Sequence, residues 1–320
     1  MVEIDILNSL ERNGMTNQNF HCVRLLHWFR HKDHICLVFK RYGLSLYDFL
    51  KKNHNKPLPL SHIQRISKQL LTAIHTMHKI SLIHTDLKPE NILLENSNYT
   101  VSDTMMPIQC PDQAVPTSTT DNNSAGPARA ESSKSRGDRV DGSEYYHLDQ
   151  TDIVLIDFGG ATFDYKHHTS VVCSRPYRPP EIILGYDWSY PCDLWGVGCI
   201  LVELYIGSTL FDTHNNRQHL AMMEKVIGPL PQSMTIDSKK YYPGGDSCLH
   251  WKTDELDNKS IEKVYTLKQL NTYFHPDHNM FLDLASKLLE YHPAKRISAR
   301  EALNHPFFTQ NIINDLFCYR

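Results

Sequence analysis

The fold is decided by the stretch HTDLKPEN at residues 84–91, which continues into the apolar run ILL at 92–94. It places the carboxylate of Asp86, the ammonium of Lys88 and the carboxamide of Asn91 in one short loop. A carboxylate can accept the proton of an incoming hydroxyl, an ammonium can neutralise a phosphoryl group in transfer, and an amide oxygen suits Mg²⁺. This spacing of residue types predicts a phosphoryl-transfer site.

A second motif lies downstream, where the apolar run IVLI at 153–156 leads directly into DFG at 157–159. The run predicts a buried strand, and Asp157 stands at its end, before a glycine that lets the chain turn. A carboxylate in this position suits a metal ligand that faces a nucleotide. Either motif alone could be a surface turn. Together and in this order they resemble the catalytic and metal-binding loops of protein kinases, which implies an α+β, protein-kinase-like fold.

The overall composition limits the possible functions. The 320 residues suffice for one large domain or two lobes, and the formal net charge is -3. This charge gives no general basic field, so we expect no direct binding to nucleic acid. The eight cysteines include no CxxC pair, which favours reduced thiols over disulfides or a zinc site. The longest apolar stretch, 197–206, is too short to span a bilayer, so we expect no membrane partner. We also expect the chain to be a monomer.

The pattern of apolar residues divides the chain into lobes of unequal size. We predict a residual, incomplete β-containing N-lobe at 1–42 with a hinge at its end, a mostly helical C-lobe at 43–308 and a tail at 309–320. The predicted elements are helices at 3–10, 63–77 and 193–206, and strands at 22–29 and 34–39.

Two segments of the C-lobe are predicted to be insertions. Residues 96–149 are rich in small polar side chains, with no aromatic residue between Pro111 and Glu144. Such a segment cannot bury enough apolar area to offset its ordering entropy, so we predict a disordered insertion. Its SSKSR piece at 132–136 is either a solvated linker or a phosphorylation or targeting site. The segment 232–271 lies where kinases of the group that the chain resembles carry an extra insert.

Further landmarks extend the resemblance to kinases. The sequence PPE at 179–181 is similar to the Ala-Pro-Glu of kinases, with proline in place of alanine. Asp193 stands in a DxWxxG pattern that resembles the kinase helix whose aspartate holds the catalytic loop. Near the end of the chain, the resemblance implies that Arg296 pairs with Glu181. Such a buried pair would be structural and not catalytic.

One stretch indicates the family within the kinases. The sequence HLAMMEKVIGPLP at 219–231 resembles the motif after which the LAMMER, or CDC-like, dual-specificity kinases are named. By its pattern alone this stretch is an amphipathic helix that stops at Gly-Pro. The pieces LSLYDF at 44–49 and WSYPCD at 188–193 are similar to the same family. The resemblance covers about residues 3–308, apart from the insertion.

The resemblance implies transfer of the ATP γ-phosphate to serine or threonine, and also to tyrosine, of proteins. It implies ATP and Mg²⁺ as ligands, Arg/Ser-rich splicing factors as substrates, and a location in the nucleus and also in the cytoplasm. The implied roles are base for Asp86, phosphate contact for Lys88, Mg²⁺ ligands for Asn91 and Asp157, gatekeeper for Phe39, hinge for Lys40 and Tyr42, and adenine floor for Leu93.

The sequence departs from the family pattern in three places. Lys40 follows the gatekeeper, where an acidic residue is usual, but adenine contacts there come from the main chain. Thr85 replaces the usual arginine that holds a phosphorylated activation loop, which predicts activity without that phosphate. Glu3 resembles the helix glutamate of the ATP site, but no glycine-rich loop or strand lysine stands in a collinear position. We therefore expect an unpaired sheet edge and weak ATP binding.

Three hypotheses follow from these departures. The first is an active LAMMER-type kinase whose N-terminus is missing from the sequence. The second is a truncated pseudokinase that serves as a protein-binding module. The third is a different nucleotide-handling enzyme with a kinase-like lobe. The intact set of Asp86, Lys88, Asn91 and Asp157 favours the first.

Overall fold

The structure, a computed structural model, describes residues 2–14, 20–102, 144–243, 249–251 and 256–312. The helices are α1 Val2–Arg12, α2 Leu46–Lys52, α3 Leu60–Lys79, α4 Pro180–Leu184, α5 Pro191–Ile206, α6 Asn216–Val226, α7 Gln232–Thr235, α8 Asn258–Thr266, α9 Asn279–Leu288 and α10 Ala299–Leu303. The strands are β1 Leu25–His31, β2 His34–Phe39, β3 Leu82–Ile83, β4 Ile92–Leu94, β5 Tyr99–Ser102, β6 Tyr145–Leu148, β7 Ile153–Leu155 and β8 Thr162–Phe163.

The N-lobe consists of α1 and the antiparallel pair β1–β2. Helix α1 buries one apolar stripe at helical spacing, and this stripe consists of Ile4, Ile6, Leu7 and Leu10. The strands are joined at Lys32 and Asp33, which both have positive φ, as the tightest hairpin turn requires. The turn therefore occupies two residues, whereas the predicted strands left four residues, 30–33, between them.

The first strand of the hairpin starts later than predicted, at Leu25 and not at Cys22. Cys22 instead forms an isolated parallel bridge with Leu155, and the Val23 N–H donates to the Leu155 carbonyl at 2.9 Å. Residues 22–23 thus tie the N-lobe to β7, next to the DFG sequence. Among the described residues the β1–β2 sheet has two strands, and it exposes Leu26 and Phe29 on its surface.

The core of the C-lobe is built on α5, which packs against α3 and α9. Helix α5 is buried nearly all round, as its sequence predicts, and Trp195 within it is fully buried. Gly198 allows the close approach of α9, because a Cβ there would lie 2.9 Å from Leu289 Cδ2. No helix among the described residues is both long and apolar enough to cross a membrane.

The structure corrects the boundaries of the predicted disordered insertion at 96–149. Strands β5 and β6 pair antiparallel at its two ends, and residues 103–143 lie outside the described residues. The ends are ordered because their tyrosines pack: Tyr99 stacks on Tyr146 at 4.7 Å between ring centroids. Tyr145 is fully buried and donates its hydroxyl to the Pro57 carbonyl at 2.6 Å. The low apolar content of residues 96–149 as a whole gave no indication of this pairing of tyrosines at its ends.

The second predicted insert, 232–271, contains α7 and α8 among its described residues. Residues 244–248 and 252–255 lie outside the description, as do residues 313–320 of the predicted tail. Helix α8 packs against α6, the helix that carries the LAMMER-like sequence. The α6 methionines Met222 and Met223 are fully buried, so this stretch contributes to the core.

Candidate active site

The loop at 84–91 is held in place by a buried carboxylate from α5. Asp193 accepts the backbone N–H of His84 at 2.9 Å and that of Thr85 at 2.9 Å. His78 Nε2 lies 3.0 Å from the same carboxylate. Burial by itself would raise the pKa of the Asp193 carboxyl. The hydrogen bond and charge of His78, together with the hydrogen bond from the His84 N–H, outweigh burial and lower this pKa. The ionised carboxylate thus fixes the start of the loop.

Two further bonds fix the course of the loop. The Nε2 of His84 donates to the Ile156 carbonyl at 3.0 Å, and its Nδ1 accepts the Asp86 N–H at 3.3 Å. Thr85 has a φ of 70° and donates its hydroxyl to the Gly160 carbonyl at 2.9 Å. The loop is therefore bonded to the segment that carries DFG on both sides of Asp157.

Asp86 lies at the centre of a small polar cluster. Lys88 Nζ contacts its Oδ2 at 2.5 Å, and the Ser174 N–H and hydroxyl both donate to its Oδ1, at 3.0 and 2.7 Å. Burial raises the pKa of Asp86, but these hydrogen bonds and the charge of Lys88 lower it, so the net direction is downward. An ionised carboxylate beside an ammonium can accept a proton while charge is neutralised nearby.

Strand pairing brings Asn91 and Asp157 together. Asn91 directly precedes β4 and Asp157 closely follows β7, and these strands pair antiparallel with Ile92 opposite Leu155. The Ile156 N–H donates to the Asn91 carbonyl at 2.9 Å. The Asn91 side-chain amide donates to the Asp86 carbonyl at 2.9 Å, a bond that leaves the side-chain oxygen free to act as a ligand.

A third polar group, the Glu3 carboxylate of α1, lies beside Asp157. A Cβ built on Gly159 would lie 3.3 Å from Asp157 Oδ1 and 3.8 Å from Glu3 Oε2, so both carboxylates border this glycine. Burial and the charge of Asp157 raise the pKa of Glu3. The Asp157 carboxylate and the Asn91 amide oxygen are hard donors that suit Mg²⁺, and a cation beside Asp157 and Glu3 would relieve the repulsion between the two carboxylates.

These groups open onto a cavity of about 370 Å³ between the lobes. It is lined by apolar side chains on most of its surface and by polar groups at one end, which suits a planar ligand with a charged tail. The lining residues are Glu3, Leu7, Val23, Phe39, Lys40, Tyr42, Asn91, Leu93, Ile156, Asp157 and Phe158.

A family model described as the protein kinase domain matches residues 1–109 and 146–308. The chain belongs to the protein kinase family. A crystal structure of a kinase domain agrees with this kinase fold at a TM-score of 0.78 and 31% identity, and the match covers 96% of this chain and 82% of the other.

Several curated relatives of this kinase chain are CDC-like kinases. The probable serine/threonine-protein kinase clkA of Dictyostelium discoideum is 61% identical over 99% of the chain. The serine/threonine-protein kinase AFC1 of Arabidopsis thaliana is 42% identical over 97%, and the dual specificity protein kinase CLK1 of Homo sapiens is 39% identical over 96%. These relatives confirm the LAMMER resemblance predicted from the sequence. The chain spans 32%, 62% and 56% of their respective lengths.

The kinase fold brings together every site residue that the sequence singled out for nucleotide or metal. These residues line the single cavity described above, and they come from α1, the end of β2, the following hinge, β4 and the DFG segment. Lys40 and Tyr42 lie at the hinge, with the Lys40 ammonium 5.3 Å from the Tyr42 ring centroid. Asp86 and Lys88 lie apart from this lining, in the polar cluster with Ser174.

The pair of Arg296 with Glu181 also forms, away from the cavity. The Arg296 guanidinium donates to both Glu181 oxygens at 2.8 and 2.9 Å, and both side chains are essentially fully buried. The same guanidinium lies 5.2 Å from the ring of Trp195. This pair ties the segment after the site to the end of the C-lobe, as expected of a structural contact.

Sequence reasoning missed three contributors to the site. Ser174 bonds Asp86 from a loop 88 residues downstream, and no local pattern could have indicated that contact. Val23 lines the cavity because of its bond to β7. Leu7 could have been found, since it follows Glu3 by four positions and so lies on the same face of α1.

Proposed function

We propose that this chain is the catalytic domain of a protein kinase that transfers the ATP γ-phosphate to serine or threonine hydroxyls, and also to tyrosine. The observation that supports this most directly is the cluster of Asp86, Lys88 and Ser174 beside a cavity that carries Asn91 and Asp157. Base, ammonium, metal-ligand oxygens and an apolar nucleotide-sized cavity are the parts that this reaction class needs.

In this proposal Asp86 orients the acceptor hydroxyl and takes its proton, for which its lowered pKa keeps it ionised at neutral pH. The Lys88 ammonium lies 2.5 Å from the Asp86 carboxylate. In this place it would counter the negative charge on the phosphoryl group that is transferred to the hydroxyl held by Asp86. Ser174 and the Asp86–Lys88 contact hold the base in one orientation. Asn91 and Asp157, with hard oxygens, would hold Mg²⁺, which supplies charge neutralisation on the phosphates when bound.

The adenine would lie between Phe39, the hinge at Lys40 and Tyr42, and Leu93, which line the apolar part of the cavity. Main-chain groups of the hinge would form hydrogen bonds with the adenine, as the family resemblance implies. The substrates we propose are Arg/Ser-rich splicing factors, and the location is the nucleus, with some protein in the cytoplasm. We further propose that the chain acts as a monomer. These finer statements rest on the resemblance to CDC-like kinases.

The test is phosphate transfer from γ-labelled ATP to an Arg/Ser peptide by the full chain. We expect transfer that Asp86→Asn abolishes and that Asp187→Asn, a change at an exposed aspartate, leaves intact. Intact-mass measurement and nucleotide binding should be run on the same preparations. Equal transfer by Asp86→Asn and the parent chain would contradict the proposal.

A second candidate, a protein-binding module without catalysis, is favoured by one observation. Among the described residues no lysine or arginine lies within 4.0 Å of the Glu3 carboxylate, whereas an ATP site needs a cation there. Binding of the Arg/Ser peptide with the same affinity in the presence and absence of Mg-ATP, together with no transfer, would support this candidate over the first.

A further inference from the structure

Two cysteines lie side by side, next to the residues that position the proposed base. Cys173 directly precedes Ser174, whose N–H and hydroxyl both bond Asp86. Cys192 directly precedes Asp193, whose carboxylate holds the start of the loop that carries Asp86. Both cysteines are free, and a hydrogen bond joins their thiols. The proposed reaction uses neither of these thiols, which we call the thiol pair.

Packing keeps the thiol pair together. Cys192 is buried in a small apolar cluster with Ile83, Ile182 and Trp188, and Cys173 packs against this cluster. Cys192 lies in the first turn of α5, the helix on which the core of the C-lobe is built, so its position is fixed. The contact between the two thiols therefore belongs to the packed structure and not to one rotamer of a free surface side chain.

The two cysteines differ in their access to solvent. Cys173 is partly exposed and lies in a loop, two residues after Val171, which is 62% exposed. Cys192 is 1% exposed, and burial, followed by the hydrogen bond with the Cys173 thiol, raises its pKa well above the usual range. A buried, protonated thiol is inert toward oxidants, which react with accessible thiolates. An oxidant in solution therefore reacts at Cys173, and Cys192 is the partner at hand.

We propose that hydrogen peroxide joins the thiol pair in a Cys173–Cys192 disulfide, and that this bond lowers phosphate transfer by displacing Ser174. The inference rests on the proposed kinase function and adds its regulation. In the first step the Cys173 sulfur attacks peroxide, the O–O bond breaks, and the thiol proton leaves with the displaced oxygen as water. In the second, the Cys192 sulfur attacks the resulting sulfenic acid, the S–O bond breaks and a second water leaves. The two thiols are oxidised by two electrons, and the peroxide is reduced.

The disulfide requires one of the two sulfurs to move. Bonded sulfurs lie about 2.05 Å apart, closer than two thiols in a hydrogen bond. Since Cys192 is fixed in α5, the movement falls to Cys173, which has a φ of 64° and is held there by bonds from Arg178 to its carbonyl at 2.8 and 3.2 Å. Ser174 is the next residue, so its bonds to Asp86 are disturbed. A misplacement of about 1 Å at a catalytic site can lower the rate about 100-fold.

The test combines cysteine mapping with phosphate transfer by the full chain. After treatment with hydrogen peroxide, free thiols are alkylated, oxidised ones are reduced with dithiothreitol, and the released thiols receive an isotopically heavier alkylating reagent that mass spectrometry locates. We expect the heavy reagent on Cys173 and Cys192 together, and transfer to the Arg/Ser peptide lowered by about 10-fold or more until dithiothreitol restores it. Heavy reagent on only one of the two residues, or on neither, would overturn the proposal. So would a disulfide that leaves transfer unchanged.

Variants separate the disulfide from other oxidation. Cys173→Ser and Cys192→Ser should each keep their own untreated rate of transfer after peroxide, and Cys36→Ser on β2 should lose transfer as the parent chain does. Thermal midpoints check that the variants are folded, and Cys173→Ser, at a partly exposed position, suffices if the buried change unfolds the chain. A loss of transfer in Cys173→Ser equal to that of the parent would contradict the proposal.

The two readouts keep this inference distinct from the proposed function. Mapping of the thiol pair needs no transfer, so a reduced chain that transfers no phosphate would contradict the kinase proposal and leave the disulfide result valid. A chain that transfers phosphate but forms no disulfide between the two cysteines would contradict the inference alone.

Discussion

Ser174 donates two hydrogen bonds to one carboxylate oxygen of Asp86, from its backbone N–H at 3.0 Å and from its hydroxyl at 2.7 Å. Ser174, which lies 88 positions after Asp86 in the sequence, thus orients the proposed base. Since the backbone bond does not depend on the side chain, a serine substitution removes one bond and leaves the other. This separation makes Ser174 a clean probe of the site.

We expect Ser174→Ala to lower kcat for peptide phosphorylation by about 10-fold to 100-fold, because a hydrogen bond to a charged group contributes about 1.5–3 kcal/mol. The loss also removes one of the bonds that lower the pKa of Asp86, so the acid limb of the pH–rate profile should move to higher pH. Ser174→Thr, which keeps the hydroxyl, is the matched control. A lowered kcat with an unmoved acid limb would argue against a direct effect on Asp86.

The buried Asp193 gives a second prediction. Asp193→Asn places an amide N–H against one of the two loop N–H groups of His84 and Thr85. Leaving a buried donor unpaired costs about 1–3 kcal/mol, with more for the lost charge beside His78. Urea unfolding should show this loss, and activity should fall further than stability alone explains. Asp187→Asn, at an exposed position, should change neither.

The Arg296–Glu181 pair predicts a large change in stability. Arg296→Met leaves the Glu181 carboxylate buried without its partner, which should lower the free energy of unfolding by about 3–5 kcal/mol. The double change Arg296→Met, Glu181→Leu should recover part of the loss. Lys263→Met breaks an exposed pair with Asp212 and should cost at most about 1 kcal/mol. Similar losses for both single variants would contradict the structural role.

Glu203 predicts a pH dependence of stability. Burial raises its pKa to about 7, although hydrogen bonds from the Tyr177 and Thr209 hydroxyls lower it. Because the folded pKa lies above the unfolded value near 4.5, this carboxyl stabilises the fold at low pH and loses that contribution as pH rises toward 7. Glu203→Gln should remove this contribution. Urea midpoints from pH 4.5 to 8 should therefore fall less for the variant than for the parent.

Contacts within the protein hold the segment after DFG. Thr85 bonds Gly160, and Trp188 donates its indole N–H to the Thr169 carbonyl at 2.9 Å while its ring stacks on His168 at 4.2 Å between centroids. We therefore expect full peptide-kinase activity after phosphatase treatment. Activity that is lost after treatment and restored by an upstream kinase would refute this prediction. Trp188→Phe, which keeps an aromatic ring but loses the donor, should reduce kcat several-fold.

The sequence by itself determined the groups that lie close together along the chain. HTDLKPEN at 84–91 contains the carboxylate that we propose as the base, together with the ammonium and the amide, and a short loop keeps the three groups near one another. The long helices α3 and α5 were also predictable, since apolar periodicity and a fully apolar run follow directly from burial. Motif order then indicated the kinase family.

Only the tertiary structure decided which distant groups meet. The contacts of Ser174 with Asp86 and of Asp193 with the loop at 84–85 join residues 88 to 109 positions apart. The pairing of β5 with β6 at the two ends of the insertion depends on tyrosine packing that overall composition conceals. Such contacts depend on how the elements pack in space, and local sequence carries no record of that packing.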